Sequence, residues 1–350
     1  MLDFGKSLLR VTRCIAALAG GCAVSASGAA AQEAAAFYKG RTVQAVVGYP
    51  PGSTFELYMR VYIRHVGKHI PGNPTVIVQH MPGAGSLTAT NYLAGVAAKD
   101  GSVFGMPNPV NTIEPLLDPQ RTKFDPRQFG WIGNLNAEIS TCSFWAKDLK
   151  TLDDMKKREV TVGSTGPASG STIDAVVLGQ LLGLKIKVVT GYRVLTDIKL
   201  ASDRGEVDGF CGLLVSALKT DYAAEWKSGR ISVPIQMGLQ KHPDIASVPN
   251  AFDLVSKEED KQLFRLIFGP WAFGRPLFAP PGTPADRLGV LRAAFKATLA
   301  DPEFIAETKK LNLEITPMDG DKIAPLIESI FQTPEPVLVR ARALLGVDKR

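Results

Sequence analysis

The sequence predicts an α/β fold in two lobes, each a largely parallel sheet flanked by helices. Three observations predict it. Short apolar runs alternate with helical periodicity almost from end to end, the pattern of parallel strands joined by crossover helices. A unit of strand, Gly-containing turn, hydroxyl residue and helix occurs three times. The third copy sits in a block that reads as inserted into the first, so the chain would cross between two bodies near residues 138–141 and 268–275. Residues 32–139 and 271–350 would then build one lobe, and residues 140–270 the other.

Each element has its local reason. Residues 43–47, Val-Gln-Ala-Val-Val, read as a buried strand ended by Pro50, Pro51 and Gly52. Ser53 opens a helix, and Glu56 three residues on makes a capping box. Phe55, Met59, Tyr62, Ile63, Val66 and Ile70 form its apolar stripe, and Pro71-Gly72 stops it. The carboxyl end of a strand thus meets the amino end of a helix, where unpaired N–H groups and the helix dipole favour an anion. Thr75-Val-Ile-Val is the next strand and runs through Met81-Pro-Gly-Ala-Gly-Ser into a helix over 87–98. Residues 102–106 form a strand, and 108–127 a loop with a short helical piece. Apolar runs follow at 131–136 and 142–146.

Thr151 caps a short helix ending at Arg158. The strand at 160–162 empties into residues 163–172, the mature segment densest in glycine and hydroxyls. Ile173, Val176, Val177 and Leu181 then keep helical spacing. Strands at 184–190, 207–211 and 231–237 alternate with helices at 194–204 and 216–228. Residues 253–268 are amphipathic and 272–279 extended. Thr283 as N-cap, Pro284 at the first position and Asp286 at the third start another helix. Helical segments continue to Leu345, broken at Asp301-Pro302, at 313–317 and near Pro334 and Pro336.

Lys6, Arg10 and Arg13 precede a small, apolar run over 14–31, which reads as a secretory signal peptide cleaved near Ala31. The run is too short and too broken by Gly and Ser for a membrane span. Ala19-Gly-Gly-Cys22 loosely resembles a lipobox, with Ala19 where Leu is usual, so lipid anchoring at Cys22 is the rival reading. The expected address is the periplasm. Of the net charge of +6, the leader carries +2, from Lys6, Arg10 and Arg13 against Asp3. The remaining +4 is spread out, with no basic block and no aromatic interleaving, which excludes nucleic acid as the expected partner. Cys142 and Cys211 outlast cleavage, and a bridge or two buried thiols are both open.

Candidate chemistries fall away in turn. No Gly-x-Ser-x-Gly elbow occurs, and none of His65, His69, His80 and His242 sits at a predicted strand-end turn. Ser164 or Ser169 as nucleophile would therefore lack a base, and no enzyme is expected. His65 and His69 are i, i+4 on one helix, but no Glu follows His65. They read as surface imidazoles near a helix end, with no metal expected. The Gly163 turn has neither Gly-x-Gly-x-x-Gly spacing nor a Walker lysine, so no cofactor is expected. What remains is capture of a carboxylate by backbone N–H groups and hydroxyls from two lobes.

Six ordered motifs resemble one family. Pro-Pro-Gly-Ser-Thr-Phe-Glu at 50–56, Met81-Pro-Gly-Ala-Gly-Ser86 and Lys99-Asp-Gly101 resemble turns of the Bug-type (TctC-like) extracytoplasmic receptors of tripartite tricarboxylate transporters. Gly163-Ser-Thr-Gly with Gly170-Ser-Thr172, Gly205-Glu-Val-Asp208 and Phe278-Ala-Pro-Pro-Gly-Thr-Pro284 are similar to their later motifs. The resemblance implies a two-lobed periplasmic binding protein of type II, a Venus-flytrap with a two-strand hinge. It implies a monomer that closes over a small carboxylate and delivers it to a membrane permease, without cofactor or chemistry. A sensory co-receptor for a histidine kinase would share this binding chemistry, and a secreted serine hydrolase is the third alternative.

Carried over, the ligand contacts are Gly52, Ser53, Thr54, Phe55, Glu56, Gly85 and Ser86, facing Ser164, Thr165, Ser169, Ser171 and Tyr192, with Asp208 at the cleft floor. The chain departs from the family at Glu56, where Asp is usual, at Ser53-Thr54, where glycines are usual, and at Arg193-Val-Leu after Tyr192. Glu56 is open between ligand and helix cap, Asp208 between cleft and plain turn, and Arg193 between cleft cation and solvated surface.

Overall fold

A computed structural model describes residues 33–166 and 169–347 of the chain. The expected signal peptide, its cleavage site and Cys22 lie outside the described residues. No helix among the described residues is long and apolar enough to cross a membrane.

The fold has two sheets. The first takes β1 (Thr42–Val47), β2 (Thr75–His80), β3 (Val103–Met106), β4 (Gly130–Asn134), β10 (Pro276–Ala279) and β11 (Met318–Asp319), in the order β11-β4-β10-β3-β1-β2. The second takes β5 (Ser140–Phe144), β6 (Val160–Ser164), β7 (Ile186–Thr190), β8 (Gly209–Leu214) and β9 (Ser232–Met237), in the order β7-β6-β8-β5-β9. Within the first lobe, α1 (Thr54–Val66) follows β1 and α2 (Leu87–Gly95) follows β2; a helical turn at Glu114–Leu117 interrupts the loop after β3. The second lobe carries α3 (Leu152–Lys157), α4 (Gly170–Leu182), α5 (Leu195–Asp203), α6 (Val215–Lys219) and α7 (Ala223–Lys227). Before the second crossing come α8 (Ala251–Leu254) and α9 (Glu258–Phe268). The last helices are α10 (Ala285–Leu299), α11 (Pro302–Lys310), α12 (Gly320–Phe331) and α13 (Glu335–Leu344).

Both sheets are mixed, where the sequence predicted largely parallel ones. β1 is parallel to β2 and β3, and β6 to β7 and β8. β5 is antiparallel to β8 and β9, and β10 to β3 and β4. The cause is topological. β5 and β10 are the strands by which the chain enters each sheet from the other lobe. They enter at the edge where the parallel strands end, and so they run the opposite way.

The crossings themselves pair with each other. Leu135 donates to the Arg275 carbonyl at 3.0 Å, Arg275 to that of Asn136 at 3.0 Å, and Glu138 to that of Trp271 at 2.7 Å. Here Arg275 and Glu138 form an ion pair, Nη2 to Oε1 at 2.9 Å, with side chains 0% and 1% exposed. The Arg275 guanidinium lies 3.9 Å over the Phe55 ring and 5.0 Å from that of Tyr58. Cys142 faces Cys211 across the β5–β8 pair and the two form a disulfide, which settles the alternative the sequence left open.

Four local expectations are corrected. The single helix over 216–228 is two, α6 and α7, because the Thr220 hydroxyl binds the Ser216 carbonyl (2.9 Å) and the chain breaks at Thr220–Tyr222. The helix over 253–268 divides into α8 and α9, with an extended Lys257 as N-cap of the second. α10 is capped by Pro284, not Thr283, whose hydroxyl instead closes the preceding turn on the Pro280 carbonyl at 2.7 Å. Residues 272 and 273, expected to begin the extended run over 272–279, instead close a 3-10 turn over Gly269–Phe273, and the strand itself starts at Pro276.

Candidate functional site

Because β1, β2 and β3 run parallel, their carboxyl ends lie at one edge of the first sheet, and the turns after β1 and β2 come together there. Ser53 caps α1, its Oγ accepting the Glu56 N–H at 3.2 Å. The second half of the expected capping box is displaced by one residue: the Glu56 carboxylate accepts from Gly52 N–H (3.3 Å) and pairs with Arg60 at 2.7 Å. His80, the last residue of β2, lies 3.7 Å from the same carboxylate. It does stand at a strand end, two residues beyond where the strand was expected to stop. Glu56 is buried and engaged within its own lobe. The amides of Thr54 and Phe55 have no acceptor among the described residues, as the first turn of a helix requires.

The second turn is held from beneath. Ser86 adopts φ +76° and is 1% exposed. Its hydroxyl accepts the Asn108 N–H at 3.1 Å, and its carbonyl accepts from Thr90 at 3.0 Å. A Cβ on Gly48 would fall on that hydroxyl, so β1 needs glycine there for Ser86 to turn inward. Gly85 remains exposed. Asn108 also donates to the Tyr49 hydroxyl at 2.8 Å, and Tyr49 stacks on Phe55 with centroids 4.3 Å apart. Burial pushes the Tyr49 phenol above its usual range, so it keeps its proton as a donor. Tyr49, Asn108 and Arg275 drew no attention in the sequence. The only signal there was Tyr49 standing directly before the Pro-Pro-Gly turn.

In the second lobe β6, β7 and β8 are parallel, and their carboxyl ends bring the Gly163–Thr172 segment beside Tyr192, whose N–H donates to the Ser164 carbonyl at 3.3 Å. Ser164 Oγ lies 2.8 Å from Ser169 Oγ, 2.9 Å from Ser171 Oγ and 2.6 Å from Thr172 Oγ1. Among the described residues these hydroxyls bind one another and Gly166, and no imidazole, amine or carboxylate binds them. Thr165 is half-buried beside them. Gly212, at φ +91°, lets β8 pass against the backbone of Ser171 at the start of α4. Below, Ser140 donates to Asp174, a carboxyl that burial pushes up to about 7.

Asp208 is not at the cleft floor. It precedes β8, at the amino end of strands whose carboxyl ends carry the Ser164 turn. Arg158 binds it through Nη1 at 2.9 Å and Nη2 at 2.8 Å, and Thr161 N–H at 2.7 Å. It is a structural anchor of the far edge. Arg193 is exposed and pairs with Asp197 on the first turn of α5 at 3.3 Å.

From the second lobe, residues 216–221 reach the first. Ser216 Oγ accepts from Arg275 Nη2 at 2.9 Å, Lys219 Nζ lies 3.2 Å from Glu314 Oε2, and Thr54 Oγ1 donates to Asp221 Oδ2 at 2.8 Å. His242 joins them: its Nδ1 accepts the Asp244 N–H at 3.1 Å, so Nε2 carries the proton given to Glu314 at 3.0 Å. That bond, with Lys219 behind it, holds the Glu314 carboxyl below its usual range against the effect of its partial burial. The imidazoles of His65 and His69 bind Glu307 and Asp301 on α11 at 2.7 and 3.0 Å. Two His and carboxylate groups have cation-binding spacing, His65 with Asp301 and Glu303, and His242 with Asp244 and Glu314. Each already holds a lysine, Lys68 and Lys219.

No known family model matches the sequence, and no curated protein matches it. Solved structures do. The periplasmic binding protein BugD is 18% identical, with a TM-score of 0.66 over 89% of this chain and 99% of that one. MatC from Rhodopseudomonas palustris with bound malate is 18% identical, with a TM-score of 0.61 over 87% and 99%. Rpa4515 from R. palustris with adipate is 17% identical, with a TM-score of 0.63 over 86% and 97%. The chain therefore has the two-lobed fold of the TctC- and Bug-type periplasmic solute-binding proteins.

Proposed function

We propose that this chain is an exported receptor that captures a small dicarboxylate between its lobes and hands it to a membrane permease of the tripartite tricarboxylate type. The observation that carries the reading is the pairing of fold with turn chemistry. Structures of this fold hold malate and adipate, and here unsatisfied helix-start amides at Thr54 and Phe55 accompany a tyrosine donor at the first-lobe edge. Gly52, Ser53, Thr54, Phe55 and Gly85 would face Thr165, Ser169, Ser171 and Tyr192 across the cleft. Ser86, Ser164 and Glu56 would support those contacts from behind, since each already has partners within its lobe. Ser164 has no basic partner among the described residues, which supports binding without turnover. The leader supports export to the periplasm, and the ligand would cross the inner membrane through the permease.

Isothermal calorimetry and thermal shift against dicarboxylates of four to six carbons test this. A ligand at a hundred times its dissociation constant should add about 2.7 kcal/mol of stability. A panel of di- and tricarboxylates producing neither heat nor shift would overturn the reading.

A further inference from the structure

We propose that Asp221 is a specificity-determining residue, a resident carboxylate that holds the Thr54 hydroxyl from the opposite lobe and that a ligand carboxylate must displace. This rests on the receptor reading above. Asp221 sits in the break between α6 and α7, where the sequence pattern predicts continuous helix. What the break does is present this side chain to the other lobe. Its Oδ2 accepts from Thr54 Oγ1 at 2.8 Å, across 167 positions of sequence. Its Oδ1 takes Thr220 Oγ1 at 3.1 Å, a hydroxyl shared with the Ser216 carbonyl. Oδ2 therefore has the Thr54 proton to itself while Oδ1 only shares that of Thr220, and no cation pairs with Asp221 among the described residues.

Thr54 is the first residue of α1, 8% exposed, in the turn assigned to the ligand. A threonine hydroxyl has a single proton to give. It can serve Asp221 or a ligand carboxylate, but not both, and two anions brought to one hydroxyl repel each other. The other carboxylate at this helix start, Glu56, is already neutralised by Arg60, so Asp221 alone stands in the ligand's way. The neighbouring contacts of Ser216 with Arg275 and Lys219 with Glu314 hold the segment against lobe 1 and keep Asp221 in reach. A plain dicarboxylate pays for displacing it, and the segment is then left with the contacts of Ser216 and Lys219 alone.

The test is calorimetric titration of malate and adipate into the wild type, Asp221→Ala, Thr54→Val and the double variant. It is paired with energy transfer between dyes on the two lobes in ligand-free protein. Asp221→Ala, which removes both the acceptor and the charge, should tighten binding about tenfold, the gain expected when nine in ten free molecules hold the contact. It should also widen the ligand-free separation. In the Thr54→Val background the same substitution should change neither. Wild type that binds while Asp221→Ala binds equally or more weakly overturns the role of Asp221 and leaves the receptor reading standing. Wild type that binds neither acid, nor any other carboxylate of the panel, overturns both.

Discussion

Replacing Glu138 by Gln tests the junction on which the two-lobed arrangement depends. Arg275 is completely buried, and its charge is met by Glu138 at 2.9 Å, the Ser216 hydroxyl and a long contact to the Gly274 carbonyl, while its Nε has no partner. Breaking a buried pair from one side costs about 3–5 kcal/mol, because the remaining charge stays out of water. Glutamine keeps the shape and one carbonyl acceptor, returning about 1 kcal/mol. The expected loss is therefore about 2–4 kcal/mol. Removing both charges, as Glu138→Gln with Arg275→Met, should cost less than the single change, since methionine can keep the contact with the Phe55 ring. Urea unfolding followed by fluorescence reads this directly: Trp271, whose carbonyl takes the Glu138 N–H, is 5% exposed and sits at the crossing. A single variant within about 1 kcal/mol of wild type, or a double variant as costly as the two singles added, would refute the reasoning. Gly274→Ala should be comparably harmful, because the new Cβ would lie 2.9 Å from the Glu138 backbone nitrogen, which the paired crossings hold in place.

Two further outcomes are expected. The Cys142–Cys211 bridge spans 69 positions, so its reduction, or replacement of both cysteines by alanine, should cost up to about 4 kcal/mol of unfolding free energy; equal urea midpoints with and without reductant would contradict that. Asp174 has its carboxyl raised to about 7 by burial, so between the ordinary carboxylate value and about 7 the native state holds a proton that the unfolded chain has lost. Stability should then fall as pH rises through that window, by at most about 1.4 kcal/mol per unit, relative to Asp174→Asn. Wild-type and variant stability curves that run parallel from pH 4 to 8 would refute it.

Local features of the sequence were legible because their causes are local. The run at 43–47 is β1, the stripe from Phe55 to Val66 is the buried face of α1, and Ser53 and Thr151 do cap their helices. What escaped depends on partners far away in the chain. Glu138 and Arg275 each read as an ordinary charged residue, and their pairing exists only because two crossings lie side by side. The register that sets Cys142 against Cys211 is likewise a property of the assembled sheet. Asp208 was misplaced by motif alone. Its Gly-Glu-Val-Asp turn leads into β8, whereas the turns proposed to hold the ligand leave the strands, and a six-residue strand puts about 20 Å between those ends.

The same distinction governs what can be said about ligand choice. The sequence displays a wealth of hydroxyls at residues 163–172, and counting them suggests a strongly hydrogen-bonding second lobe. In the folded chain Ser164, Ser169, Ser171 and Thr172 are each other's partners, so the cluster fixes the start of α4 more than it advertises free donors. On the opposite lobe one hydroxyl, that of Thr54, is held by a carboxylate from elsewhere in the chain. Recognition therefore turns on which donors the fold has left unspent. That is settled by contacts in the folded chain, some inside residues 164–172 and one between Thr54 and Asp221, 167 positions apart, which a count of hydroxyls does not carry. A receptor with the same motifs but a neutral residue in place of Asp221 would offer its ligand a different site.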